Sequence, residues 1–482
     1  MISFKHKFRT YLFFVILATV IFSCKEDDDI KPDEKEEVVP SPNVAINNWI
    51  QSVMREVYYW LDDMGTPISL NSEPTAYFQS LLFKPTDRFS VIYPNFQELM
   101  SSLSGVSTEA GYEFSLMRES PDNQNVIAPV TYIKKGSPAD IEGLKRGDIL
   151  TQINGTTMTL GNYQSLLRGI SSSHSVTYRR FDEGNNTYAA GQSINLTTTL
   201  IEENPNFLDT IYTIDNQKIG YFIYNFFSPG VENSEGEMDT RYDLQMDEVF
   251  ANFKAEGINH LIIDFRYNGG GYVSSSVNLA SLIAPNITST SVFSKTKFNS
   301  FLSRFSQFQN VQTNFKEKSQ NIGNLLSENK VFVITSTRTA SASELVINSL
   351  RPYMEVVLIG DVTNGKNVGS VPFEDEDNPN NNYGLLPIIT KSFNSLDQSD
   401  YGNGFSPDFN INELDFINLV DLGNLNEPLL KATMDRILNR PPAGRRSKIE
   451  REQISSSLDR KIRQGLLLED SKSVKEAFEK IK

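Results

Sequence analysis

The chain has 482 residues, 39% of them hydrophobic and 22% charged, which suits two to four globular domains and excludes a wholly disordered polypeptide. Its net charge of −15 argues against a nucleic-acid partner, because phosphate backbones need clustered Lys and Arg. One cysteine excludes an intramolecular disulfide, and three histidines leave little from which to build a zinc site of three or four His or Cys ligands.

The chain opens with "MISFKHKFRTYLFFVILATVIFSC", in which Lys5, Lys7 and Arg9 precede an apolar run from Tyr11 to Phe22. That run is short for a transmembrane helix and suits an export signal over 1–23. A lone Cys24 could be a leftover buried thiol, but "VIFSC" resembles a bacterial lipobox. The resemblance implies a lipidated Cys24 as mature N-terminus, and hence a membrane-anchored lipoprotein of the cell envelope, on the periplasmic or surface face of an outer membrane. Residues 24–42 are dense in charge and proline, as a solvated tether would be. The acidic cluster behind Cys24 resembles the surface-export signal of Bacteroidetes lipoproteins.

In residues 43–105, Ile46, Ile50, Val53, Met54, Val57 and Trp60 fall at helical spacing, and "TAYFQSLLF" (75–83) gives a second helical patch. A small helical N-terminal unit follows, closed by "DRFSVIYP". Residues 106–202 are β-rich. Here "VTYIKKGSPADIEGLKRGDILTQINGTTM" (130–158) reads as a strand, a short helix ending at Gly143, a turn at Gly147-Asp148, a strand, and a tight turn at Asn154-Gly155. This order resembles a PDZ domain. The resemblance implies that Gly111, Tyr112, Glu113 and Phe114 form a loop whose N–H groups hold a peptide C-terminus as the peptide adds as an edge strand. The same fold could also be kept for architecture alone.

Residues 203–440 alternate strands with helices: "KIGYFIYNF" (218–226), a helix over 242–257, "HLIIDF" (260–265), a helix over 271–285, then "KVFVITS" and "EVVLIGD" flanking a helix near Ser341. Such alternation predicts a sheet with helices packed on it. The irregular stretch 286–329 reads as a lid or a rim, and 441–482 as a polar helical tail.

Catalytic chemistry is constrained by histidine. His6 lies in the leader, His174 in the β-rich module, and His260 at a strand edge, so a Ser-His-Asp triad has few candidates. Without histidine a lysine can serve as base once desolvation lowers its pKa. "STRTASASELVINS" (336–349) places Ser341 and Ser343 between a strand and a helix, either as an ordinary cap or as a nucleophile. One strand later, "GDVTNGKNVGS" carries Lys366 in a glycine-rich loop. On spacing alone a solvated loop lysine is the commoner case, and "NGGG" (268–271) can be a plain flexible turn.

"TASASE" followed by a Gly-Lys loop resembles the C-terminal processing (tail-specific) serine peptidases. The similarity extends over "IIDFRYNGGGYVSSS" (262–276) and "GNGFSPDF" (402–409). It implies Ser341 as nucleophile and Lys366 as general base, with Ser343 as the competing nucleophile, Glu344 as a first-turn carboxylate, and an oxyanion hole from Gly270, with Gly271 a near-equal choice, and Ala342. Asp264 and Arg266 are implied to hold the glycine loop. Ser370 stands where the family has a lysine-orienting glutamine. The expected fold is a multidomain α/β chain: a helical unit, a PDZ-like domain and a ClpP/crotonase-like core. The expected function is a serine endopeptidase acting on protein or peptide, engaged through a C-terminus, without metal or organic cofactor. The alternatives are an inactive peptide- or polysaccharide-binding protein on the same scaffold, and a non-peptidic acyl hydrolase.

Overall fold

The computed structural model describes residues 41–231, 238–416, 418–441, 451–461, 465–469, 474 and 476–478. The expected leader, Cys24 and nearly all of the tether fall outside them.

Proline and a capping side chain start the first two helices. Pro42 opens Pro42–Val57, with Ser41 accepting from the Asn43 N–H, and Pro74 opens Pro74–Leu81, with Glu73 accepting from Ala76 N–H. The two pack through Ile50, Met54, Tyr58, Tyr77, Phe78 and Leu81. A third helix, Phe96–Leu103, completes the helical N-terminal region.

The β-rich domain is an antiparallel sheet in the order Gln192–Leu196, His174–Arg179, Ile149–Ile153, Val126–Ile133, Tyr112–Arg118. The Asn154-Gly155 turn joins Ile149–Ile153 to Thr156–Thr157 as a hairpin.

The core sheet runs Asn206–Ile214, Gln217–Tyr224, His260–Asp264, Lys330–Thr335, Glu355–Gly360, Phe409–Asn410, parallel from its second strand onward. Strand side chains alternate between faces. Ile219, Tyr221 and Ile223 meet Leu429, Leu430 and Met434 of the helix Pro428–Ile437, whereas Phe222 and Tyr224 meet Met246, Phe250 and Phe253 of Arg241–Glu256. Burying each such side chain contributes roughly 1.5–3 kcal/mol.

A third sheet has the order Gly270–Tyr272, Leu466–Leu468, Val368–Ser370, Ile388–Phe393, Val292–Lys297, Val311–Asn314. The stretch 286–329 therefore supplies the last two strands at one rim of this sheet rather than a lid. Part of the tail departs from its helical expectation, while residues 474 and 476–478 are helical. Gln453–Ser456 and Leu466–Leu468 are strands, because each finds an open strand edge and the three leucines find apolar cover. Tertiary pairing overrides local propensity there.

Candidate active site

The strand Lys330–Thr335 leads through a turn into the buried helix Ala342–Leu350, with Ser341 at its N-cap. Ser341 has φ +63°, a conformation a side chain adopts only at a cost of about 1–3 kcal/mol. What holds it there is Glu344. Ser341 N–H donates to Glu344 Oε2 at 2.8 Å, and Lys366 N–H donates to the same oxygen at 2.8 Å. Glu344 Oε1 accepts from Gly365 N–H at 2.7 Å and from Thr363 Oγ1 at 2.5 Å. One carboxylate thus pins the serine turn to the lysine loop. Burial pushes the Glu344 carboxyl upward, and these four donors oppose the shift.

Ser341 Oγ is buried and has no hydrogen-bond partner among the described residues. Ser343 Oγ donates to the Asn268 carbonyl at 3.2 Å, so that hydroxyl is committed to the turn. Asn268 also accepts the Ala340 N–H on its carbonyl, and its amide donates to Tyr224 O. It therefore ties the glycine segment to the serine turn.

Lys366 is fully buried, and its amine donates to the Gly465 carbonyl. Desolvation lowers its pKa to about 7, against the opposing pull of Asp87 and Glu344. The cover comes from the N-terminal region, where the Phe89 ring lies 4.8 Å from Nζ and Asp87 accepts from Tyr58 and from the Phe89 and Ser90 amides.

Two implied roles need correction. Gly270 N–H donates to Asn268 Oδ1 at 2.9 Å, so it is not free for an oxyanion. Its need for glycine is spatial, since a Cβ would lie 2.6 Å from Ser341 Cβ and 2.4 Å from Leu466 O. Gly270 O and Tyr272 N–H both bond Phe227, so strand alternation turns the Gly271 amide to the opposite side, toward Leu466–Leu468. Ala342 opens its helix, where N–H groups lack intrahelical acceptors. Ser370 does not orient the lysine. Its hydroxyl is buried and unpartnered among the described residues, while Lys366 reaches Gly465 instead.

Neither described histidine approaches Ser341 by a hydrogen bond. His174 pairs with Tyr112 Oη at 2.9 Å and Ser172 O, and His260 with Gln217. Asp264 and Arg266 belong to a buried network: Arg266 bonds Asp264, Glu413 and Glu427, and Arg146 of the β-rich domain bonds Glu413 and Tyr267.

The loop expected to bind a peptide carboxylate is also differently engaged. Tyr112 and Glu113 pair with Ile133 and Tyr132, Gly111 O accepts from Lys134 N–H, and Phe114 N–H donates to Ser457 Oγ at 2.8 Å. Glu109, Glu113 and Glu203 cluster closely enough to hold a cation, but Lys134 already sits among them, 2.9 Å from Glu203 and 3.3 Å from Glu113. Lys461 adds a second ammonium 3.1 Å from Glu113.

Glu344, Asn268, Asp87, Phe89 and Gly465 were not read from the sequence as site residues. The acid three residues after Ser341 and the asparagine before "GGG" were visible signals; the others come from distant parts of the chain.

Comparison with known proteins places these segments. Residues 218–411 match the model of Peptidase family S41, 45–91 that of the Peptidase S41 N-terminal domain, and 130–180 that of the PDZ domain. A carboxyl-terminal-processing protease of Synechocystis sp. is 23% identical over 279 residues, covering 57% of each chain. A CtpA-like serine protease of Staphylococcus epidermidis is 22% identical over 292 residues, 60% of this chain and 51% of the relative. The chain spans about half the length of the curated relatives it matches. The crystal structure of an S41 protease from Bacteroides fragilis superposes with a TM-score of 0.66 at 26% identity, covering 81% of this chain and 97% of that one.

Proposed function

Given that the chain belongs to peptidase family S41, with the family's N-terminal domain and a PDZ domain, we propose that it is a serine endopeptidase working through a Ser341–Lys366 dyad. The observation that carries this reading is the Glu344 clamp on both residues, combined with a lysine whose desolvated amine titrates near neutrality. Neutral Lys366 takes the Ser341 proton as Oγ attacks a peptide carbonyl, then delivers it to the leaving amine. The acyl-enzyme is released by water activated in the same way. Gly271 and Ala342 N–H groups stabilise the oxyanion, each worth roughly 3–4 kcal/mol in comparable sites. The PDZ domain engages the substrate polypeptide beside the core.

The reading includes location. The basic, then apolar, then Ser-Cys start of the chain supports lipidation at Cys24 and anchoring to the cell envelope. Metabolic labelling with a clickable fatty acid tests this: wild type takes up label and Cys24→Ala does not, whereas label retained by Cys24→Ala would refute it.

For the chemistry, intact-mass analysis after mixing with an activated ester is decisive. A single acyl adduct mapping to Ser341, absent in Ser341→Ala, is expected. An adduct on Ser343, or none on a folded protein that does cleave peptides, would contradict the assignment.

A further inference from the structure

Both places where a polypeptide substrate would add as a strand are filled by this chain's own C-terminal segment. The first is the edge of the PDZ sheet. Gln453–Ser456 lies antiparallel to Tyr112–Arg118, with Ser456 opposite Ser115 and Gln453 opposite Met117. Ser457 continues the ladder: its N–H bonds Phe114 O at 2.9 Å, and its hydroxyl donates to Glu113 Oε2 at 2.5 Å. The segment then runs past the Gly111 loop, anchored by Arg460 on Leu167 O at 2.9 Å and by Lys461 on Glu109 and Glu113. Between it and the loop a cavity of about 200 Å³ remains, floored by Phe114, Leu167 and Ile170.

The second place is the cleft itself. Leu466–Leu468 runs between Gly270–Tyr272 and Val368–Ser370, and the sheet order places it between those two strands. Gly465 N–H donates to Gly269 O at 2.8 Å, and Glu469 N–H to Ser370 O at 3.0 Å. The Gly465 carbonyl takes the Lys366 amine, and the Leu466 carbonyl lies on the side of Gly270 where Ser341 sits. Main-chain pairing of this kind is indifferent to sequence, so any extended polypeptide could replace the strand. Side chains set the preference. Leu466 and Leu468 are buried among Leu99, Leu103, Leu386 and Tyr272, and Leu467 enters the main core.

We propose that residues 453–461 and 465–469 act as an intramolecular ligand that keeps the site closed, and that the enzyme opens when a polypeptide with an extended, leucine-like apolar segment displaces them from the PDZ edge and the cleft. This rests on the peptidase reading for its consequence, but not for its observation. Two consecutive stations on one segment make the closure bivalent: a competitor that frees one station lowers the effective concentration of the tail at the other.

The test uses the full-length chain and a fluorescent peptide with the sequence of residues 453–469. In a Ser341→Ala background, anisotropy should show weak binding to the otherwise native chain. Binding should be at least tenfold tighter in Leu466→Asp/Leu468→Asp, whose tail no longer seats. With Ser341 restored, the double variant should hydrolyse a quenched leucine-rich peptide with kcat/KM raised at least tenfold. A folded double variant that binds the peptide no tighter than the native chain overturns the proposal. Should that variant fail to fold, Ser457→Ala/Lys461→Ala loosens the PDZ station without touching a core leucine and is judged by the same tenfold criterion. Failure of the peptidase reading looks different: no variant hydrolyses anything, while anisotropy still decides who occupies the cleft.

Discussion

Ser341 and Lys366 give their backbone N–H groups to the same oxygen of Glu344, each at 2.8 Å. Twenty-five positions apart in sequence, they are held as one unit by a carboxylate that belongs to neither chemical step. This makes Glu344 a positioning residue, with consequences for what its loss would do.

Replacing Glu344 with Gln keeps the volume but turns one acceptor into an amide donor facing two N–H or O–H donors. Buried hydrogen bonds to a charged group are worth about 1.5–3 kcal/mol each. Glu344→Gln should therefore lower kcat by about 10- to 100-fold with KM little changed, and should lower Tm. Equal kcat in a folded Glu344→Gln enzyme would show that the clamp does not position the dyad.

The cover over Lys366 makes a separate prediction. Phe89 excludes water from the amine, whose pKa is about 7. Phe89→Ala should rehydrate it and move the midpoint of the kcat/KM profile upward, toward the ordinary lysine value of 10.5. At pH 7 the variant should lose activity and regain part of it at pH 9. An unmoved midpoint would mean that the ring is not what keeps the amine dry.

The depressed lysine also leaves a mark on stability. Between about 7 and 10.5 the unfolded chain holds a proton that the folded chain has shed. Lys366 therefore costs the fold most below pH 7, and the cost falls as pH rises through that window. Denaturant titrations should show this upward slope in wild type and its loss in Lys366→Met.

Arg266 is the structural counterpart. It is fully buried among Asp264, Glu413 and Glu427, so Arg266→Ala strands carboxylates in the core and should cost about 3–5 kcal/mol. Arg241→Ala, at a half-exposed, solvent-screened pair with Asp239, should leave the unfolding midpoint nearly unchanged. Burial pushes Glu413 up, but Arg146 and Arg266 outweigh it and hold the carboxyl at about 2. Because its pKa is depressed, its contribution is complete above about 4.5 and disappears as pH falls toward 2. Acid unfolding of wild type should steepen in that window, and Glu413→Gln should lack the steepening.

What could be read in the sequence was local. The serine turn, the Gly-Lys loop, the glycine strand and the Asn154-Gly155 hairpin each declare themselves within a few residues, through turn chemistry and apolar runs. The partners that complete the site are brought in by sheet order. Phe89 reaches Lys366 from the N-terminal region, Arg146 reaches Glu413 from the PDZ domain, and Gly465 reaches Lys366 from the tail. None of these pairings has a periodicity to read. The choice between Gly270 and Gly271 as amide donor turned on strand alternation, where one position reverses the face, and that is set by pairing with Phe227 and the tail. Residues 474 and 476–478 are helical as expected, but the strands Gln453–Ser456 and Leu466–Leu468 could not be read locally, because the strands they pair with lie roughly one hundred to more than three hundred positions upstream.

The central claim is that a dry lysine activates Ser341, and kcat/KM against pH for wild type and Lys366→Ala tests it most directly. Wild type should rise through about 7 to a plateau, and Lys366→Ala, folded by circular dichroism, should lose at least a thousandfold at every pH. A Lys366→Ala protein that cleaves at the wild-type rate with the same midpoint would contradict the account.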